Sequence, residues 1–161
     1  MQQVFLFSLF ALLGTALAAT VHVHTAQELE SALKHAKAGD TIQLADGEYH
    51  GKFVASHVAG PVTVSGSRKA AISSTSYGLH LEGCSHWTLK GFTIHSSKKG
   101  LVLDGSSHNT IEDIEVHHIE DEGVHFRKGS SDNLITGSHV HHTGLKQPGF
   151  GEGMYVGKHS F

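Results

Sequence analysis

Cysteine is nearly absent from this chain. Cys84 stands alone in 161 residues, so no internal disulfide can form. A domain of this size must then be held by its core and its backbone hydrogen bonds, with Cys84 expected in a packed turn. An excess of basic charge is also missing: 12 Lys and Arg stand against 15 Asp and Glu, for a formal charge of −3. That balance gives no footprint for a nucleic-acid partner. Long apolar runs are missing too, apart from the first segment, so nothing after it is expected to cross a bilayer.

That first segment reads as a leader. Val4 to Leu17 is almost wholly apolar, and Ala16-Leu17-Ala18 supplies a small-x-small cleavage site. No Lys or Arg precedes it, and it is shorter than the ~20 residues of a membrane span. The expectation is a signal peptide over 1–18, a single domain over 19–161, and a secreted product with no membrane attachment once the leader is removed. The 16 histidines all fall in the mature part. Exposed ones protonate near pH 5 and would reverse the sign of the net charge. Drift on the surface and work in an acidic niche are both open readings.

The second half repeats itself, which decides the architecture. GLHLEGCSHWTLKGFTIHSSKK begins at Gly78, GLVLDGSSHNTIEDIEVHHIEDE at Gly100, GVHFRKGSSDNLITGSHVHHTG at Gly123 and GMYVGKHS at Gly153, at spacings of 22, 23 and 30. The extra residues of the last spacing fall in GLKQPGFGE, a loop insertion. Each repeat holds short alternating runs of period two. Leu79 and Leu81, Leu101 and Leu103, Val124 and Phe126, and Met154 and Val156 form one apolar column. Leu89, Ile111 and Ile135 form a second, and Ile94, Val116 and Val140 a third. Runs this short bury their apolar side only by stacking coil on coil. Helical repeats need apolar residues three and four apart and tolerate this much Gly poorly. A leucine-rich repeat needs a Leu and Asn pattern that is absent. The reading is an all-β right-handed parallel β-helix.

Earlier residues fit the same solenoid. Thr25 to Asp40 reads as one amphipathic helix, with Thr25 and Glu28 as a capping box and Gly39 as its stop. Laid across the end of the solenoid, it would block edge pairing. Thr41–Leu44 and Gly47–Tyr49 read as the first strand and turn. Phe53-Val54, Val62–Val64 and Ala71-Ile72 continue the winding.

The stretch TAQELESALKHAKAGDTIQLADGEYHGKFV resembles the opening of right-handed parallel β-helix proteins of the pectate-lyase-like superfamily, especially the chondroitinase B and alginate lyase group. Gly39 to Ile42 and Ala45 to Tyr49 carry that resemblance, and Gly149 to Gly157 resembles a strand start in secreted microbial members. The resemblance implies a secreted protein active on acidic polysaccharide, lyase-like, with Ca²⁺ as a candidate cofactor. It assigns no catalytic residue by position. The fold also carries hydrolases and non-catalytic binders, which stay open as alternatives. Members usually have eight or more coils, whereas this sequence ends soon after a strand of about its fifth, so a fragment is expected.

The resemblance places substrate along the outer side of the first strand column. The outward residues there are His80, Glu82, Val102, Asp104, His125, Arg127, Tyr155 and Gly157, flanked by Glu122, Lys128, Glu152 and Lys158. Elimination from a uronate needs its carboxylate neutralised and a base for the adjacent proton. His125, Arg127 and Lys128 are the catalytic candidates, and His80, Tyr155 and Lys158 the substrate contacts. Glu82 and Asp104 fall on equivalent places of adjacent coils, about 5 Å apart, and are the candidate Ca²⁺ ligands. Trp87 and Tyr155 are candidate platforms for sugar rings. His95, His117 and His141, with His118 and His142 behind, should stack at one corner, as a polar ladder or as a metal site. Asn109 and Asn133 read as a hydrogen-bonded turn ladder beside Trp87.

Overall fold

The computed structural model describes residues 17–146 and 148–157. The proposed leader lies almost wholly outside these residues, and so does Lys158. Among the described residues, no helix is long and apolar enough to cross a membrane.

Among the described residues, β1 (Thr20–Val23) comes first and is followed by the helix α1 (Ala26–His35). Strands β2 (Thr41–Leu44), β3 (Gly47–His50) and β4 (Val54–Ser56) follow, and β5 (Ala59–Ser65) stacks on β2 to begin the next winding. Then follow β6 (Ala70–Glu82), β7 (Ser85–Lys90), β8 (Thr93–Asp104), β9 (Thr110–Glu112) and β10 (Glu115–His117). The last are β11 (Val124–Arg127), β12 (Leu134–Thr136), β13 (His139–His141) and β14 (Met154–Val156). Every pairing is parallel, between consecutive windings, and the result is a right-handed β-solenoid of about 5 turns.

One face is the sheet β1-β2-β5-β7-β9-β12. The second sheet is bent. Register shifts in β6 and β8 between Ser73 and Tyr77 divide it into two faces. One holds β3, β10, β13 and the first halves of β6 and β8. The other holds β4, β11, β14 and the second halves of β6 and β8. The cross-section therefore has three sides, and each predicted apolar column lines one of them. Leu79 aligns with Leu101 and that with Val124; Leu89 with Ile111; Ile94 with Val116. These side chains are almost wholly buried, and each contributes ~1.5–3 kcal/mol by leaving water.

The turn ladder is present. Asn109 accepts from the Trp87 backbone N–H at 2.9 Å, and Asn133 accepts from Asn109 at 3.0 and 2.9 Å. Cys84 is buried in its turn beside them. Trp87, however, is no sugar platform. Its side chain is fully buried, and Nε1 donates to the Val58 carbonyl at 3.2 Å. Nothing in an isolated tryptophan codon distinguishes a core ring from a surface one.

The helix is shorter than its sequence pattern predicts. The Thr25–Glu28 capping box forms, but α1 stops at His35 because Ala36 is already extended (φ −55, ψ 141). Asp40 then closes its own turn by accepting from Lys37 N at 2.9 Å. Gly39, at φ +98, belongs to that turn and donates to the Pro61 carbonyl, which ties the connection to the next coil. Leu29 and Leu33 of α1 are fully buried against the first winding. The strand β1, which the sequence pattern leaves unread, pairs with β2 from Thr20 to Val23. Tyr49 Oη donates to the Val23 carbonyl at 2.8 Å and locks that strand in place.

Candidate functional site

The face built on β6, β8, β11 and β14 carries the predicted outward residues. In-register pairing aligns His80 with Val102, His125 and Tyr155, and Glu82 with Asp104 and Arg127. The same pairing sets Tyr77 beside Lys99, and Glu122 falls beside Lys99 on the next coil. The strip is far less open than its polarity implies. Val102, Asp104, Glu122 and His125 are all nearly inaccessible, because the long side chains above them fold over the strip.

Asp104 is the centre of the first cluster. Its carboxylate accepts from Arg127 Nε, from Arg127 Nη2 at 3.0 Å and from His80 Nε2 at 3.2 Å, and pairs with Lys128 Nζ at 3.0 Å. Burial works against its ionised form, but the hydrogen bonds from Arg127 and Lys128 outweigh that and hold its pKa at about 2. Arg127 also packs over the Tyr77 ring at 5.1 Å and donates to its hydroxyl at 3.3 Å. Burial disfavours its charge, yet the bond to Asp104 wins and raises its pKa. Lys128 reaches the carboxylate because its backbone is left-handed, at φ +53, which turns the chain sharply after β11. Its side chain is 63% exposed, so it is the cation of this cluster that faces solvent. His80 lies edge-on to Tyr77, with ring centres 5.4 Å apart. Burial lowers its pKa, and the Asp104 charge only partly offsets this. It is therefore neutral near pH 7, with Nε2–H fixed on Asp104.

Glu122 is the centre of the second cluster. It pairs with Lys99 and lies 3.2 Å from His125 Nδ1, while Lys99 Nζ lies 3.7 Å from Asp121. His125 Nε2 is 3.3 Å from the Gly157 carbonyl, and its ring meets Tyr155 edge-on at 4.9 Å. Burial lowers the His125 pKa, against the opposing pull of Gly157 and Glu122. A cavity of about 670 Å³ adjoins both clusters, lined by His125, Arg127, Lys128, Ser130 and Val156 among others.

Of the predicted residues, His80, Asp104, Arg127 and Lys128 come together in one cluster. His125 and Tyr155 come together in a second, but His125 is buried under its neighbours rather than presented to solvent. Glu82 is the register partner of Asp104, as predicted, and its carboxylate accepts from Ser56 Oγ at 3.4 Å. A calcium ion takes six to eight oxygen ligands. Here two cationic side chains and an imidazole N–H occupy the Asp104 oxygens, so the Glu82–Asp104 pair does not fit Ca²⁺ in this arrangement. Tyr77 and Lys99 were not anticipated. Both directly precede a repeat glycine, as Glu122 does, and aligning that repeat position would have found them.

A solenoid with a cation-roofed polar strip along one parallel sheet is a right-handed β-helix of the polysaccharide-lyase type in architecture. Residues 10–154 match the family described as Pel9A-like, right-handed β-helix region, and the chain belongs to that family. It is also similar to the crystal structure of an alginate lyase from Paenibacillus sp. str. FPU-7, with a TM-score of 0.81 and 40% identity. That match covers 86% of this chain and 50% of the other, so the chain spans half the length of that lyase. No curated protein matches it.

Proposed function

We propose that the chain is part of a secreted polysaccharide lyase that cleaves uronate-containing glycans by β-elimination. The observation that carries this reading is the placement of Arg127 and Lys128 around buried Asp104 on the outer face of the β-helix. The similarity to half of an alginate lyase supports it.

The chemistry follows from the cluster. The proton on the carbon next to a uronate carboxylate becomes acidic when that carboxylate is neutralised. Solvent-facing Lys128 and, behind it, Arg127 supply positive charge without a metal. His80 is the best-placed base, in place of His125: it is neutral, and Asp104 holds its Nε2–H so that Nδ1 carries the lone pair. His80 Nδ1 takes the proton as the carbon–carbon double bond forms and the glycosidic C–O bond breaks, and the leaving oxygen takes a proton from water. Asp104 orients His80 and both cations. Asp104, held ionised with a pKa of about 2, could not itself serve as the general acid of a glycosidase. Tyr155 and Lys158 are retained as proposed glycan contacts.

The test is ultraviolet absorbance of unsaturated uronate on incubation with alginate, pectin and glycosaminoglycan. Turnover of at least one polymer that persists in EDTA is expected. No unsaturated product from any of them would defeat the lyase reading. Glycan binding without turnover, unchanged in Lys128→Ala, would favour a non-catalytic binder.

A further inference from the structure

The histidine corner lies on a different face from the lyase cluster, on β8, β10 and β13. Parallel pairing aligns His95 with His117 and that with His141, and Glu115 with His139. The rings stack as the register dictates: His95 on His117 at 5.5 Å, His117 on His141 at 5.3 Å, and His118 on His142 at 5.0 Å. The sequence offers no acid at every rung, which reads against a metal. The fold supplies acids from elsewhere. Glu48, 47 residues before His95, lies 3.0 Å from its Nε2, and Glu115 Oε1 lies 3.1 Å from His141 Nε2.

We propose that Glu115, His139 and His141 form a binding site for a divalent transition-metal ion of the zinc, copper or nickel class. One ligand atom from each lies within 4.8 Å of the others. Tetrahedral zinc places its donors about 3.3 Å apart, so small side-chain rotations close the site around an ion, with water completing the shell. His139 and His141 are two apart on β13 and so project from the same side of the strand. Their rings already stack at 4.2 Å.

The surroundings supply the support that such sites use. His141 Nδ1 faces His142 Nδ1 at 2.5 Å, a separation that one shared proton bridges. With the metal on His141 Nε2, that proton sits on Nδ1 and is donated to His142, which holds the ring in the ligating tautomer. His142 is left-handed, at φ +51, and this turn brings its ring back toward His141. Glu115 keeps Oε1 toward the histidines, while Oε2 faces Arg68 Nη1 at 3.9 Å. That cation weakens the site but leaves the inner oxygen available. Two imidazoles and one carboxylate suit borderline metals rather than Ca²⁺.

The test is calorimetric titration of the untagged chain with ZnCl₂ at pH 7.5, with electron paramagnetic resonance of the Cu²⁺-loaded chain. Saturable Zn²⁺ binding is expected. It should weaken at least tenfold in Glu115→Gln, disappear in the double variant His139→Gln, His141→Gln, and persist in His86→Gln. The Cu²⁺ spectrum should show nitrogen splitting from two imidazoles. No saturable Zn²⁺ binding, or equal affinity in Glu115→Gln, would overturn the proposal. So would displacement of Zn²⁺ by equimolar Ca²⁺. Because Glu115→Gln keeps the side-chain shape, it decides the matter even if the double variant fails to fold.

Discussion

Lys128 and His80 converge on the same oxygen of Asp104, at 3.0 and 3.2 Å, from opposite ends of the strip. They come from coils 48 residues apart in sequence. A buried carboxylate thus organises an exposed cation and a neutral imidazole around itself, and removing it should affect folding and chemistry together.

For Asp104→Asn, the expected loss is roughly 3 kcal/mol at pH 7, since the half-buried Arg127 guanidinium loses its counter-charge. Urea unfolding monitored by circular dichroism measures this. With a folded pKa of about 2 and an unfolded value near 3.9, the ionised carboxylate stabilises the fold fully above about pH 4. That contribution disappears as pH falls through 2. The gap between wild type and variant should therefore narrow below pH 4, and a constant gap down to pH 2 would contradict the pairing.

Acid should destabilise the wild type well before that. His80, His117 and His125 all have pKa values lowered first by burial. A histidine whose folded pKa lies below its unfolded value takes up protons mainly in the unfolded chain. Stability is then complete above about pH 6.5 and declines as pH falls toward the folded values. Melting temperatures should stay nearly level from pH 8 to about 6.5 and fall from there to pH 5, and a plateau extending down to pH 5 would count against buried neutral imidazoles.

The repeat glycines offer a packing test. A Cβ at Gly100 would collide with the Gly123 carbonyl oxygen and Val116, whereas one at Gly149 meets nothing within 4 Å. Gly100→Ala should cost about 2 kcal/mol or more through strain between coils, and Gly149→Ala should be nearly neutral. Thermal melts of the two variants provide the comparison, and similar melts would mean that the coils separate freely there.

Turnover should depend on His80 more than on His125. His80→Ala is expected to lower kcat about 100-fold or more on the active polymer, without a matching loss of fold. For wild type, the acid limb of kcat/KM should lie below the ordinary histidine value, in line with the lowered His80 pKa. A full rate in His80→Ala would remove it as the base.

Export gives a separate prediction. Intact mass of the protein recovered from culture medium should begin at Ala19 or Thr20, and retention of Met1 on the recovered chain would contradict a cleaved leader.

Much of this architecture is legible before any coordinates. Leu79, Leu101 and Val124 follow a repeat glycine at a fixed offset, and such positions must stack when a chain winds with a constant period. The same arithmetic places Glu82 beside Asp104 and His95 beside His117. The helix end was not legible, because Ala36 and Lys37 are compatible with helix until Asp40 captures the Lys37 amide. Nor was the burial of Trp87 and His125, since identical side chains serve inside and outside a solenoid.

By itself the sequence determined the winding: its period, its three apolar columns and the residues that share a rung, all consequences of short-range alternation repeated at near-equal intervals. Only the tertiary structure decided which charges meet. Arg127 and Lys128 bend back a full coil to Asp104, and Glu115 reaches forward to His141. Such pairings depend on the direction in which flexible side chains lean between coils, a choice made by burial and hydrogen bonding across neighbours that no local pattern encodes.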